Sequence, residues 1–160
     1  LGISDEKIKN AVAGFKGVKR RFEYIVKSDE VIYIDDYAHH PEELRMLLTS
    51  IKELYQNQKC TIIFQPHLYT RTRDLAVGFA ESLDIADEVF LLPIYPAREL
   101  PIPGVNSSLI AKYMKAKVHM IAMEDLMLKI QELDPKLLIT AGAGDIDRMI
   151  QPIKNSLLRA

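Results

Sequence analysis

Short apolar runs alternate along the chain with longer segments in which apolar residues recur every three or four positions. The runs predict strands over residues 20–26, 31–35, 60–64, 88–92, 118–121 and 136–140. The longer segments predict helices over residues 5–12, 41–55, 74–83, 108–114 and 124–133. A last helix, capped by Asp145, contains Pro152, where we expect a kink or a break.

Most predicted strands are continuous apolar runs, which is typical of a parallel sheet covered on both faces. The first two strands have only a short turn between them, at residues 28–30, so we expect them to pair as an antiparallel hairpin. The predicted fold class is therefore α/β, a doubly wound, mostly parallel sheet with an antiparallel edge strand and helices on both faces. With 160 residues, the chain has the length of a single domain, residues 1–160.

Composition and charge narrow the classes of function. Hydrophobic residues make up 48% and charged residues 27% of the chain, as in ordinary globular proteins. The net charge of -1 gives no electrostatic reason to expect a nucleic acid or a membrane as partner. A single cysteine allows no internal disulfide and favours a reducing, cytoplasmic location. The chain begins without methionine and shows no signal peptide, so we expect a piece of a longer protein.

The stretch VIYIDDYAHHPEE, residues 31–43, is the first of two polar clusters. An apolar strand runs directly into two acids, a tyrosine and two histidines, which are Asp35, Asp36, Tyr37, His39 and His40. Acids at the end of a buried strand are costly unless they are used. One of the pair can bond loop amides, while the other can accept from a ribose hydroxyl or hold a metal.

The second polar cluster, QPHLYTRTRD, covers residues 65–74 and also follows an apolar strand. In a doubly wound sheet both clusters lie at the carboxyl ends of strands, where ligands bind. Arg71 and Arg73 precede a predicted helix, whose free N–H groups favour an anion. An arginine fork fits a carboxylate or a phosphate. These features indicate an anion site in this cluster.

Two other functions remain open on the residues alone. A metal-dependent phosphoesterase would place a pair of metals on Asp35, Asp36, His39, His40 and His67. A non-catalytic binding domain is the second alternative. The sequence AGAG at residues 141–144 has too few glycines for a dinucleotide fingerprint and is better interpreted as a tight turn. No G-x-x-x-x-G-K-[ST] motif occurs, so a phosphate-binding loop would lie outside this chain.

Motifs in order along the chain resemble the C-terminal domain of the Mur ligases. They are RRFE at 20–23, IDDYAHHPEE at 34–43, IIFQPHLYTRTRD at 62–74, PIYPARELPIPGV at 93–105 and TAGAGDI at 140–146. The DDYAHHP motif also resembles the ligase that recycles murein tripeptide, which is an alternative within the family. The second cluster and the 93–105 loop resemble the members that add L-alanine to UDP-N-acetylmuramate.

The resemblance implies a Rossmann-like third domain of a three-domain, ATP-dependent ligase of peptidoglycan precursor synthesis. An N-terminal domain would bind the UDP sugar, and a central domain would carry the P-loop and Mg²⁺. The reaction would proceed through an acyl phosphate, and this domain alone would be inactive.

The resemblance also implies roles for single residues. Arg21 corresponds to an arginine that meets the ATP phosphates, and Asp36 to an acid that bonds the ribose. The L-alanine site would be lined by Tyr37, His39, His67 and Arg71. Arg71 would be the partner of the alanine carboxylate. Further candidates are His40, Tyr69 and Arg73, no metal ligand is implied, and Leu68 departs from the arginine that many relatives carry.

Overall fold

The computed structural model describes residues 2–15 and 17–159, which form a six-stranded sheet with helices around it. The strands are β1 (Glu23–Lys27), β2 (Ile32–Asp36), β3 (Cys60–Phe64), β4 (Glu88–Leu91), β5 (Lys117–Met120) and β6 (Leu137–Ala141). Their order across the sheet is β1-β2-β6-β3-β4-β5. The β1–β2 pair is antiparallel and the other neighbouring pairs are parallel. The predicted fold class is confirmed.

Helices cover both faces of this sheet. The covering helices are α2 (Pro41–Leu54), α3 (Tyr69–Leu83), α4 (Ser108–Ala111), α5 (Leu126–Leu133) and α6 (Ile150–Leu157), whereas α1 (Asp5–Gly14) has no buried residue. Helices α2, α3 and α4 bury their apolar residues against one face, and α5 and α6 against the other. In the described part of the chain, no helix has the length and apolar character needed to cross a membrane.

Alternating side chains of β2 fix the position of the strand between the two layers. Ile34 packs into the core with Leu44 and Leu48 of α2, whereas Tyr33 packs into the opposite core with Ile153 of α6. Full burial of one such side chain contributes ~1.5–3 kcal/mol. A shift of one residue would exchange the two faces, so the register of β2 is strongly specified. This register sets where the acids that end the strand emerge.

Strand β1 begins at Glu23 rather than at residue 20, which corrects the predicted bound. Arg20 and Phe22 have left-handed backbone conformations, with φ of 57° and 48°. A strand requires negative φ, so neither residue can extend β1. Residues 18–22, the arginine loop, therefore form a tight loop in front of the strand.

The structure corrects two predicted helices as well. Helix α3 begins at Tyr69, not at residue 74, and non-helical angles at Leu75 mark a kink where the predicted helix would have started. The predicted last helix is divided, but the division lies between Met149 and Ile150 rather than at Pro152, which lies in the first turn of α6, where its missing N–H costs little. A 3-10 turn, Asp145–Met149, precedes α6, and the Asp145 side chain caps neither element.

Candidate functional site

The two polar clusters lie side by side at one edge of the sheet, called here the carboxyl edge, where β2, β3 and β6 end. Asp36 pairs with Ala141, which also pairs with Phe64, so these three strands end level with one another. The Tyr37 and His39 rings are 5.2 Å apart, and the His39 and His67 rings 6.2 Å apart. The expectation that the clusters share one edge is confirmed by this geometry.

Asp36 holds the arginine loop in place. Its carboxylate accepts hydrogen bonds from Phe22 N at 2.6 Å and from Ala38 N at 2.7 Å. Tyr37 N donates in turn to Arg20 O at 2.7 Å. Asp36 is thus the acid of the pair that bonds loop amides. Each of its two oxygens keeps a lone pair for a further donor.

Asp35 is fully buried and is paired with Arg20, a residue that the sequence did not single out. Arg20 Nε lies 3.0 Å from Asp35 Oδ2, and Thr140 Oγ1 donates to Asp35 Oδ1 at 2.6 Å. Burial raises the pKa of the Asp35 carboxyl, and these two hydrogen bonds act in the opposite direction. Arg20 also donates to Gly142 O at 2.6 Å and lies over the Tyr37 ring. Asp35 and Arg20 therefore link β2, β6 and the arginine loop.

Arg21 differs from Arg20 in its exposure and in its contacts. It is exposed at the tip of the arginine loop, and its side chain has no ion-pair partner among the residues that the structure describes. Left-handed residues on both sides fix the direction of the backbone at this position. A free guanidinium on a fixed loop is suited to an incoming anion.

The two histidines of the first cluster have different environments. His39 Nδ1 lies 3.0 Å from Tyr37 O, and because a carbonyl only accepts, this nitrogen carries the proton. In the neutral imidazole, His39 Nε2 is then the nitrogen that can accept. His40 is the N-cap of α2, where its Nδ1 accepts from Glu42 N and its backbone N–H donates to Glu43. The geometry gives His40 a structural role.

His67 and Arg71 form the centre of the second cluster. Arg71 Nη1 lies 3.3 Å from His67 Nδ1, and the Tyr95 ring stacks on His67 with 5.7 Å between ring centroids. Burial, Arg71 and His39 lower the pKa of the His67 imidazole, so it is neutral near pH 7. A neutral His67 accepts from Arg71 and leaves the other guanidinium donors for a ligand.

The further candidates of the second cluster lie outside this group. Arg73 is exposed, and its Nε donates to Asp74 at 2.7 Å. Tyr69 lines an apolar groove of about 440 Å³ beside the ends of β4 and β5. The N-terminus of α3 is not open to an anion either, because the Glu99 carboxylate accepts from Thr70 N there at 3.0 Å. At this terminus the acceptor is Glu99 of the same chain, so Arg71 remains the candidate cation of the cluster.

Gln65 is a residue whose role the sequence did not reveal. Its side chain donates to Asp145 at 2.8 Å and accepts from Ile146 N at 2.9 Å, so it ties the end of β3 to the turn after β6. A Cβ at Gly142 would lie 2.7 Å from Gln65 O, and φ there is 141°, so glycine is required. The predicted tight turn is confirmed. The one sequence signal for Gln65 was its position, as a polar residue directly after the apolar strand β3.

The side chains proposed for a pair of metals do not converge. Within residues 2–15 and 17–159, no three His, Cys, Asp or Glu residues are placed to hold a metal ion. Asp35 is bonded to Arg20 and Thr140, while His40 caps α2. The donor geometry does not support the phosphoesterase alternative.

A family model described as "Mur ligase, glutamate ligase domain" matches residues 20–144. This range includes Arg20 and Arg21 of the arginine loop, both polar clusters and the glycine turn, which lie at the carboxyl edge. The chain belongs to this family. The resemblance to the C-terminal domain of the Mur ligases, inferred from the motifs, is therefore confirmed.

Known proteins match the chain along nearly all of its length. The UDP-N-acetylmuramate–L-alanine ligase of Flavobacterium johnsoniae is 48% identical over 157 residues, which are 98% of this chain and 35% of that protein. The solved UDP-N-acetylmuramate–alanine ligase of Thermotoga maritima has a TM-score of 0.68 and 28% identity, covering 99% of this chain and 33% of that one. This chain therefore spans about a third of the length of the relatives it matches.

A murein peptide ligase of Psychrobacter arcticus has a TM-score of 0.72 with 19% identity, over 98% of this chain and 33% of that one. At this identity the likeness shows the shared fold alone.

Proposed function

We propose that this chain is the C-terminal domain of an ATP-dependent ligase that joins L-alanine to UDP-N-acetylmuramate in peptidoglycan precursor synthesis. The observation that carries the proposal is 48% identity to a ligase of that name, extending over 98% of the chain. The carboxyl edge supports it, because it offers two arginines suited to anions: Arg21, exposed on the arginine loop, and Arg71, beside His67.

The proposed reaction has two steps. A carboxylate oxygen of the muramoyl group attacks the γ-phosphorus of ATP, and ADP leaves with the electrons of the broken P–O bond. The alanine nitrogen then attacks the acyl carbon, and inorganic phosphate leaves from a tetrahedral intermediate. The nitrogen loses its extra protons to phosphate or water. Closure of this domain over the acyl phosphate would exclude water and prevent its hydrolysis.

Arg21 and Asp36 form the ATP side of the proposal. Arg21 has an exposed guanidinium on a loop whose backbone is held by Asp36 and Tyr37, and it would neutralise charge on the ATP phosphates. Asp36 lies under the same loop with a remaining lone pair on each oxygen, which can accept from a ribose hydroxyl. The Phe22 amide connects the arginine loop to Asp36, so the phosphate and ribose contacts would be made by two segments that are hydrogen-bonded to each other.

The alanine side of the proposal rests on Arg71, His67, His39 and Tyr37. Arg71 would hold the alanine carboxylate, with neutral His67 fixing the guanidinium plane. His39 Nε2 can accept a hydrogen bond from the alanine nitrogen, because Nδ1–H is bonded to Tyr37 O. The Tyr37 ring packs edge-on against His39 and would border the small methyl side chain.

The resemblance also implies Mg²⁺, and the residues described here do not fit that ion. Asp35 and Asp36 are bonded within the chain, and among the described residues they belong to no group of three or more His, Cys, Asp or Glu side chains that could hold a metal ion. We therefore assign the Mg²⁺ ligands and the P-loop to a central domain of the full-length protein.

Helix α1 supports the proposal that other domains belong to this protein. Two of its apolar side chains, Ile8 and Val12, are 49% and 69% exposed, and Phe15, which directly follows the helix, is 68% exposed. The family match begins only at residue 20, after this helix. An apolar helix face of this kind is expected to be covered, and we propose that the preceding central domain covers it. We expect the full-length enzyme in the cytoplasm, with no nucleic acid or membrane as partner.

The test is ADP release by the full-length parent protein with ATP, Mg²⁺ and UDP-N-acetylmuramate, measured with and without L-alanine. We expect release that depends on L-alanine. Release with murein tripeptide in place of alanine would assign the protein to the recycling ligases instead. If no ADP is released with either L-alanine or murein tripeptide, the proposal is contradicted and the non-catalytic alternative is left.

A further inference from the structure

Helix α3 begins without a capping side chain of its own. The residue at its N-cap is Leu68, which has no acceptor to offer and adopts a φ of 71°. The first amides of a helix have no intrahelical partner, so they need an acceptor from another part of the chain. Because Arg71 lies in this first turn, its position depends on where that acceptor comes from.

The acceptor is Glu99, in the proline-rich loop at residues 93–107. Glu99 Oε2 accepts from Thr70 N at 3.0 Å, and Glu99 Oε1 accepts from Thr70 Oγ1. These bonds lower the pKa of the Glu99 carboxyl, so it is ionised at neutral pH. A carboxylate at a helix N-terminus is also favoured by the helix dipole. Glu99 thus caps α3 across a gap of 29 positions in the sequence.

The proline-rich loop is attached to the same segment at a second point. Tyr95 N donates to Pro66 O at 2.8 Å, and Leu68 N donates to Tyr95 O at 2.9 Å. Between the two attachments Ala97 has a φ of 51°, a left-handed conformation that an alanine adopts only when its surroundings impose it. The loop is therefore a fixed brace for residues 66–70.

We propose that Glu99 is a positioning residue for the amino-acid site, because its cap on α3 holds Arg71 against His67. This inference rests on the proposed function and deepens it. Thr70 directly precedes Arg71, so a frayed first turn would separate Arg71 Nη1 from His67 Nδ1. Glu99 also fills the helix terminus with its own negative charge, so the carboxylate of the amino acid is directed to Arg71. The hydrogen bonds of Asp36 on the ATP side go to Phe22 and Ala38, whereas those of Glu99 go to Thr70, so the two sides are held by different contacts.

The test uses the full-length parent protein with Glu99→Ala, Glu99→Gln and Thr70→Val. We expect Glu99→Ala to raise the KM for L-alanine about tenfold, as for the loss of a strong helix cap, with the KM for ATP changed less than about twofold. Glu99→Gln and Thr70→Val should have smaller effects of the same kind. The glutamine still offers one acceptor, and the valine leaves the backbone bond of residue 70 intact. Glu53→Ala, an exposed position on α2, is the matched control.

Amide hydrogen exchange provides a readout that does not depend on activity. In Glu99→Ala, residues 68–72 should exchange faster, whereas residues 41–54 of α2 should exchange as before. Unchanged exchange, an unchanged KM for alanine, or equal rises in both KM values would each overturn the inference while leaving the proposed function intact. No alanine-dependent ADP release from the unmodified parent would overturn both.

Discussion

The two edges of the sheet both carry charged residues and histidines, but they use them differently. The opposite edge, where β3, β4 and β5 begin, is called here the amino edge. There Glu88 is only 1% exposed, and its carboxylate accepts from Lys59 at 2.5 Å, Lys117 at 2.7 Å and His119 at 2.9 Å. At the carboxyl edge Asp35 and Asp36 are also hydrogen-bonded within the chain, but the Arg21 side chain and one ring nitrogen of His39 have no partner among the residues that the structure describes.

This difference separates structural charge from candidate functional charge. A cluster whose charges satisfy one another has little left with which to bind a ligand. At the carboxyl edge, Asp35 and Asp36 hold the arginine loop in place, and Arg21 on that loop stays available to bind an anion. Residue type alone does not distinguish the two edges, because each contains at least one histidine beside a carboxylate.

The sharpest form of the comparison is within one dipeptide, and Arg20→Ala should have the largest effect. The substitution leaves the buried Asp35 carboxylate without its cation, and breaking a buried pair costs about 3–5 kcal/mol. Since Arg20 is 17% exposed, we expect a loss near the lower end, about 3 kcal/mol in the free energy of unfolding. Urea denaturation measures it. Arg21→Ala is the control and should change the free energy of unfolding by less than about 0.5 kcal/mol; equal losses would mean that the two arginines are not differentiated.

The same Arg21→Ala substitution should reverse the ranking when activity is measured. Losing a charge-assisted contact to the ATP phosphates should lower kcat/KM for ATP about 30- to 100-fold in the full-length parent. Lys19→Ala, in the same basic run, should change it less than about threefold. Steady-state kinetics at saturating alanine test this. An unchanged rate and nucleotide affinity in Arg21→Ala would refute the assignment of Arg21 to ATP.

Arg71 and Arg73 offer a second matched pair, on one helix. Arg71→Ala should raise the KM for L-alanine about 10- to 30-fold through loss of the carboxylate contact, and the KM for ATP much less. Arg73 is exposed and already paired with Asp74, so Arg73→Ala should be nearly silent. Equal shifts for alanine and ATP in Arg71→Ala would count against an amino-acid pocket at this position.

Much of the fold could be predicted from the sequence because the hydrophobic period is a local signal. Strand β3 and helix α2 were predicted almost to the residue, since continuous burial of Cys60–Phe64 and a helical stripe in α2 leave no other structure. The start of β1 was not, because Arg20 and Phe22 are held in left-handed conformations by contacts with Asp36 and Tyr37. Those contacts join segments that are distant in sequence.

The same limit applies to the candidate site. The sequence predicted that Tyr37, His39, His67 and Arg71 lie at one edge. They follow predicted parallel strands, and ligands of a doubly wound sheet bind at the carboxyl ends of its strands. They could not separate Arg20 from Arg21, since the two differ only in which one reaches buried Asp35. Glu99 was missed for a similar reason. A helix cap is normally sought just before the helix, and this one comes from a later loop.

At the amino edge, acid should destabilise the protein through Glu88. Burial raises the pKa of the Glu88 carboxyl, but hydrogen bonds from Lys117, Lys59 and His119 outweigh it and lower the pKa to about 2. A depressed pKa means that stabilisation is present above the ordinary value and is lost as pH falls from about 4.5 toward 2. In Glu88→Gln we expect a loss of about 1–2 kcal/mol at pH 7, since both lysines are largely exposed, and a flatter acid limb. Urea denaturation between pH 7 and 2.5 tests this, and an acid limb as steep as that of the unmodified protein would contradict it.

His39 and His40 give the finest test, because adjacent residues of one type are predicted to act on different properties. His40→Ala removes the side-chain cap of α2 and should lower the free energy of unfolding by about 1 kcal/mol, with little change in kcat/KM for alanine. His39→Ala leaves that cap in place and should lower kcat/KM for alanine about tenfold, through loss of a hydrogen bond to the alanine nitrogen. Paired denaturation and kinetic measurements separate the two effects. If activity instead followed His40 and stability followed His39, the imidazole facing the substrate would be the one that the structure assigns to the helix cap.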